Sequence, residues 1–198
     1  YDASNSGTAA VTGGRFDADI SAYVPNGYIQ NENGAVETLG ETNAVAKVGG
    51  TYYKTLADAV AAAQDGDTIT LLKDAELTST LNLAKNITID GQGKYTIKAA
   101  NSFTVGSDNK TYCVLYVSGE GTLKDVTVNG NEKCRVIFCD KGKLTIDGAT
   151  ITNGKAPNFI GGVYMTSSAS FEMKSGSITG NKNAKGYQND EYLQYSSD

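Results

Sequence analysis

The sequence predicts an all-β fold, specifically a right-handed single-stranded parallel β-helix closed at its N-terminal side by a short α-helix. Three observations predict it. A six-residue phrase occurs three times, as Leu123-Lys-Asp-Val126-Thr-Val128, Ile146-Asp-Gly-Ala149-Thr-Ile151 and Met173-Lys-Ser-Gly176-Ser-Ile178. Its first members are offset by 23 and then 27 residues (146 − 123 and 173 − 146), a period that marks a solenoid. Between the copies lie short runs of β-formers, Cys113 to Val117, Arg135 to Cys139 and Gly162 to Met165, broken by Gly, Asn, Asp and Ser with no amphipathic helix. Three short strands and three bends consume about one period, so each repeat makes one coil and successive coils stack in parallel at about 4.8 Å.

Taken in order, residues 1–45 are polar and irregular and read as an N-terminal appendage or the tail of a preceding module. Within them Thr8 to Phe16 suggests an isolated coil strand, and Pro25-Asn26-Gly27 is a turn. Asn31-Glu-Asn-Gly34 supplies a second turn between Tyr28-Ile-Gln and Ala35-Val-Glu-Thr, which permits a small hairpin. The β-helix is assigned to 46–198, and Ala44 to Val48 and Thr51 to Tyr53 lead into it as two strands.

A helix near 55–64 follows, because Leu56, Ala59, Val60 and Ala63 share one face, Thr55 and Asp58 can form an N-cap, and Asp65-Gly66 supplies the stop. Its apolar face is expected to cover both the hydrophobic column and the unpaired backbone of the first coil. Asp67 to Leu72 with Leu81 to Leu83 gives that coil, and Asn86 to Gly91 with Tyr95 to Ile97 the next. Extra length at Asn101 to Lys110 should protrude as a loop, and beyond Ile178 the phrase stops. Asn129, Asn153 and Asn181, one after each phrase, are expected to stack as an inward hydrogen-bonded ladder.

Charge and composition narrow the function. A net charge of −5 with only two arginines, Arg15 and Arg135, offers no basic footprint for nucleic acid. No run reaches the roughly 18–20 apolar residues of a membrane span and no signal peptide is readable, so the chain reads as a mature or excised piece, monomeric or part of a longer chain. Three cysteines cannot all pair. Cys113 and Cys134 begin equivalent strands, but buried free thiols are the favoured reading over a bridge between coils. With no histidine there is neither a Ser-His-Asp arrangement nor an imidazole metal site. Asp65-Gly-Asp67 and Asp108-Asn-Lys are too sparse for a calcium loop, so no metal or other cofactor is assigned.

Thr51 to Leu72 together with Asn86-Ile-Thr-Ile-Asp-Gly-Gln-Gly93 resembles the opening of the pectin-lyase-like right-handed β-helix superfamily, closest to modules of large secreted or wall-attached surface proteins of anaerobic Gram-positive bacteria. Gly13 to Gly27 resembles a segment that follows β-helix coils in such proteins. The resemblance implies an extracellular or cell-wall location and a polysaccharide or host glycan as partner. It does not imply one activity, because the superfamily includes lyases, hydrolases and adhesins. A pectate lyase would work with acidic calcium ligands and a basic residue that takes the proton beside a uronate carboxylate; Asp125, Asp147 and Arg135 are the residues that could imitate that set. The two aspartates differ by one residue in register, and turn chemistry accounts for them without catalysis. No Asp-Asp doublet serves a hydrolase. The expected function is thus a non-catalytic surface module, a rigid spacer or adhesin with Tyr187, Tyr192 and Tyr195 as candidate glycan contacts, and a divergent polysaccharide lyase or glycoside hydrolase is the alternative.

Overall fold

A computed structural model describes residues 9–157 and 160–183, and the backbone of 193–195. Among the described residues the protein is all-β with one short α-helix. Its strands are β1 (Tyr28–Gln30), β2 (Val36–Thr38), β3 (Ala46–Val48), β4 (Thr51–Tyr53), β5 (Thr68–Leu71), β6 (Ala75–Leu77), β7 (Leu81–Leu83), β8 (Ile87–Asp90), β9 (Thr96–Ala99), β10 (Cys113–Val117), β11 (Glu120–Lys124), β12 (Thr127–Asn129), β13 (Arg135–Cys139), β14 (Gly142–Thr152), β15 (Lys155–Ala156), β16 (Val163–Thr166), β17 (Ala169–Thr179), β18 (Lys182–Asn183) and β19 (Leu193–Tyr195). Helix α1 spans Leu56–Ala62.

From β5 onward every pairing between these strands is parallel and joins strands about one repeat apart. One ladder runs β5-β8-β11-β14-β17 and a second β6-β9-β12-β14-β17; the long strands β14 and β17 serve both. A third runs β7-β10-β13-β16-β19. The repeated phrase is the corner between the first two ladders. Its first members Leu123, Ile146 and Met173 pair in one register and its last, Val128, Ile151 and Ile178, in another. The same registers continue back to Ile89 and Ile69, and to Ile97 and Ala75.

Between phrase ends the backbone must bend. Asp125 and Gly148 do this with φ of +45° and +79°, a region that glycine and short polar residues tolerate best. A Cβ at Gly148 would also lie 2.2 Å from Asp125 Oδ1, so the position admits only glycine without movement.

Alternation along each strand puts one set of side chains inside. Ile69, Ile89, Leu123 and Ile146, with Ile97, Val128 and Ile151, and Leu115, Ile137 and Val163 from the third ladder, are all fully buried in one cluster. Helix α1 adds Leu56, Ala59, Val60 and Ala63 to it. Thr55 caps the helix as expected: its Oγ1 accepts from the Asp58 amide at 3.1 Å and donates to Asp58 Oδ2 at 2.8 Å.

Four expectations need correction. The backbone edge of β5 is covered not by the helix but by β3, which pairs antiparallel with β5 and with β4, so the ten-stranded sheet is mixed. An antiparallel hairpin satisfies N–H and C=O groups that a helix, with its own bonds closed, cannot reach. Residues 9–16 form no strand of the ladders; Arg15 makes a single antiparallel bridge to Ala35, beside the hairpin of β1 and β2. The asparagines do not stack either. Asn129 pairs with Thr152, and Asn181 precedes the Lys155–Lys182 pair, so the three occupy successive registers. Lastly, Cys113 pairs with Arg135 rather than Cys134, so the two do not begin equivalent strands; the cysteines are free and buried, as the sequence favoured.

Candidate functional site

The first group nominated by the sequence lies at the bend between the first two ladders. The Asp125 amide donates to the Asp147 carbonyl at 2.8 Å, joining neighbouring repeats. The Asp147 carboxylate stands 3.7 Å from Lys174 Nζ and 3.5 Å from Ser175 Oγ. Along the same flank Lys124 Nζ contacts Asp90 Oδ2 at 2.8 Å and Lys143 Nζ contacts Glu172 Oε2 at 2.5 Å. This last pairing holds the Glu172 pKa below its ordinary value. Acidic and basic side chains therefore pair between neighbouring repeats at three places on this flank.

Arg135 lies elsewhere, on the third ladder. There Tyr116, Phe138 and Tyr164 pair in register and their rings stack, with centroids 5.9 and 5.3 Å apart and planes within 16° and 21°. The Arg135 guanidinium sits over the Tyr164 ring at 4.6 Å and near Phe138 at 5.9 Å. Its Nε donates to the Ile160 carbonyl at 3.0 Å and its Nη1 to Asn109 Oδ1 at 3.2 Å. Only 3% of Arg135 is exposed, and burial pulls its pKa down. Among the described residues no carboxylate pairs with it.

The loop from Asn101 to Lys110 is exposed along most of its length, as expected of a protrusion, and is tied to this ladder. Phe103 is buried, Asn109 holds Arg135, and Lys110 Nζ reaches Asp140 Oδ2 at 3.0 Å while lying 5.6 Å from the Tyr116 ring centre. The Tyr116 hydroxyl donates to Asp140 Oδ1 at 2.9 Å.

The structure thus keeps Asp125 and Asp147 adjacent in the ten-stranded sheet and places Arg135 in the five-stranded one. No hydrogen bond or ion pair joins the arginine to either aspartate among the described residues. No three His, Cys, Asp or Glu side chains gather to hold a metal ion there either, so the acidic set that a calcium-dependent lyase needs is not assembled among them. Asp65 and Asp67 accept from the Asn86 and Gln64 amides, and Asp108 accepts from the amide and hydroxyl of Thr111, all as turn residues. Tyr187 and Tyr192 lie outside the described residues. For Tyr195 the backbone alone is described, pairing with Thr166.

No known protein family, curated protein or solved structure matches the chain. No helix among the described residues is long and apolar enough to cross a membrane.

The aromatic column was missed by sequence reasoning although its signal was present. Tyr116, Phe138 and Tyr164 recur at offsets of 22 and 26 residues (138 − 116 and 164 − 138), close to the period of the phrase, but matching Cys113 with Cys134 set Tyr116 opposite Ile137 and hid the column. A second feature had no such signal: a cleft of about 380 Å³ where the N-terminal segment meets β4 and α1, lined by Tyr52 and Tyr53. It depends on contacts between segments with no common pattern.

Proposed function

We propose that the chain folds as a right-handed single-stranded parallel β-helix with an N-terminal capping helix, and that it is a non-catalytic extracellular module of a bacterial surface protein. In this reading it acts as a rigid spacer or adhesin facing a polysaccharide or host glycan. The observation that carries it is the three parallel ladders sharing one apolar interior, each advancing by one repeat. A stack of this kind is stiff along its axis because every repeat is bonded to the next on three flanks. The charged groups support the non-catalytic part: Lys124, Lys143 and Lys174 pair with acids of neighbouring repeats, and Arg135 is enclosed by Ile160, Asn109 and the aromatic rings.

Two measurements test these readings. Thr127 and Thr150 pair across neighbouring repeats. Replacing both with cysteine should give a disulfide under mild oxidation, since paired parallel strands lie within the reach of about 4.4–6.8 Å between Cα atoms. A Thr127→Cys/Thr150→Cys protein that stays reduced would overturn the register. For function, the protein is incubated with polygalacturonate and calcium while unsaturated product is followed by absorbance. No turnover is expected; turnover that a folded Arg135→Ala variant lacks would establish the lyase alternative.

A further inference from the structure

We propose that the cleft along the outer edge of β4 is a binding site for a neutral pyranose glycan. The proposal rests on reading the chain as a glycan-facing module and gives that reading a location. Strand β4 is the terminal strand of the ten-stranded sheet, so its outer edge is open. Three elements converge on that edge: Thr51, Tyr52 and Tyr53 of β4, Asp58 on the exposed side of α1, and Asn26 and Leu39 from the N-terminal segment. The space between them, about 380 Å³, falls within the usual range for small ligands, about 300–1,000 Å³.

The chemistry suits a sugar ring. Tyrosine faces and edges pack against its C–H groups, and amide and carboxylate oxygens take its hydroxyls. Tyr52 is fixed in advance, because its hydroxyl donates to Glu41 Oε2 at 3.0 Å and Glu41 is itself held by Lys47 at 3.1 Å. A ring already held loses little freedom on binding. Tyr53 packs its ring against the core, while among the described residues its hydroxyl and the Asn26 side chain take no protein partner. Asp58 spends Oδ2 on Thr55 and keeps Oδ1. Charge selects the ligand class: Lys54, whose Nζ donates to the Val24 carbonyl at 3.2 Å, offsets Asp58, so the cleft carries no net charge to attract a uronate. A peptide strand is the poorer occupant, since β4 has only three residues with which to form a ladder.

The test uses the intact chain, titrated calorimetrically with cellotetraose and mannotetraose as neutral probes and tetragalacturonate as the acidic comparator. Binding of a neutral probe is expected. Tyr53→Phe, which keeps the ring, and Asn26→Ala should each weaken it about five- to tenfold, the loss of one hydrogen bond. Lys133→Ala, exposed and away from the cleft, should leave it unchanged. Circular dichroism checks that each variant is folded. If no saccharide binds, both this site and the glycan part of the proposed function are overturned. If a neutral probe binds Tyr53→Phe and Asn26→Ala as tightly as the parent, the cleft is refuted and the glycan reading stands. Tighter binding of tetragalacturonate would refute the ligand class.

Discussion

Placing a carboxylate at Val60 tests whether α1 is part of the core or merely beside it. Val60 is 7% exposed and packs in one cluster with Leu56, Ile69 and Leu71. Val60→Asp forfeits the burial of the valine, about 1.5–3 kcal/mol. It also adds an acid with no partner. Lys85, the cation at this end of the helix, already donates Nζ to the carbonyls of Ala61 and Ala63. Keeping the acid neutral at pH 7 means raising its pKa from about 3.9 to about 7, which costs roughly 4 kcal/mol. The sum, about 6 kcal/mol, rivals the whole stability of a domain, about 5–15 kcal/mol.

The sign with pH is fixed. A carboxyl whose folded pKa is raised destabilises most when the unfolded form ionises, so the penalty grows above about pH 4 and is relieved below it. Val60→Ala, by contrast, removes two methyl equivalents for about 1.6 kcal/mol and should lower the melting temperature by about 3–6 °C at either pH. Because β3 holds the edge of β5, loss of the helix leaves that edge paired, and polymerisation through it is not expected. Urea denaturation followed by circular dichroism at pH 7 and pH 4, with size-exclusion chromatography, reads all of this. A Val60→Asp midpoint within about 0.5 kcal/mol of the parent, or a penalty equal at both pH values, would refute the placement of the helix in the core.

Three further outcomes are expected. Burial pushes the Cys113 and Cys134 thiols up to about 12 and Cys139 to about 11, so a thiol reagent at pH 8 should find almost nothing in the native protein and three thiols after non-reducing unfolding; a final count of one would establish a bridge. Asn181 is fully buried, accepts from the Gly154 amide at 2.8 Å and donates to the carbonyls of Ile151 and Thr179. Asn181→Ala should cost about 2–3 kcal/mol in chemical denaturation, and a cost below about 0.5 kcal/mol would show those groups find other partners. The Thr111 hydroxyl and amide hold the Asp108 pKa below 3.8, so its contribution to the loop is complete above that value and lost as pH falls through the lower, folded one. An NMR titration of the Thr111 amide with a midpoint at or above 3.8 would contradict it.

Much of the fold was legible because the repeating unit writes its register into the sequence. A position in one repeat recurs in the next, so Leu123, Ile146 and Met173 could be aligned before any contact was known; the first two are fully buried, and Met173 is 42% exposed. The asparagines show the limit of that logic. Measured from the last residue of each phrase they stand one, two and three places on (129 − 128, 153 − 151, 181 − 178), so they could never have shared a register, and similarity of type concealed it. The short strand β6 escaped because Ala75-Glu-Leu77 is too brief to show alternation. The role of β3 escaped because antiparallel pairing to β5 follows from tertiary placement and not from the period.

Arg135 illustrates why the site was harder to read than the fold. In the sequence it was a basic residue between two aspartates, a pattern that invites an electrostatic interpretation. In the structure its neighbours come from the ladder and not from the chain: Tyr164 is one repeat on, Asn109 lies in the preceding loop and Ile160 in a later turn. A guanidinium enclosed without a carboxylate stays charged only if its N–H groups and its faces are both occupied. Arginine meets that condition because its planar, weakly hydrated cation can stack on an aromatic ring while its edges donate hydrogen bonds. Arg135 therefore fastens the loop of Asn109 and the turn of Ile160 to the aromatic column. The same enclosure that makes it a good fastener leaves little of it to a polymer lying on the surface, since only 3% of the residue is exposed and its Nε and Nη1 are already engaged.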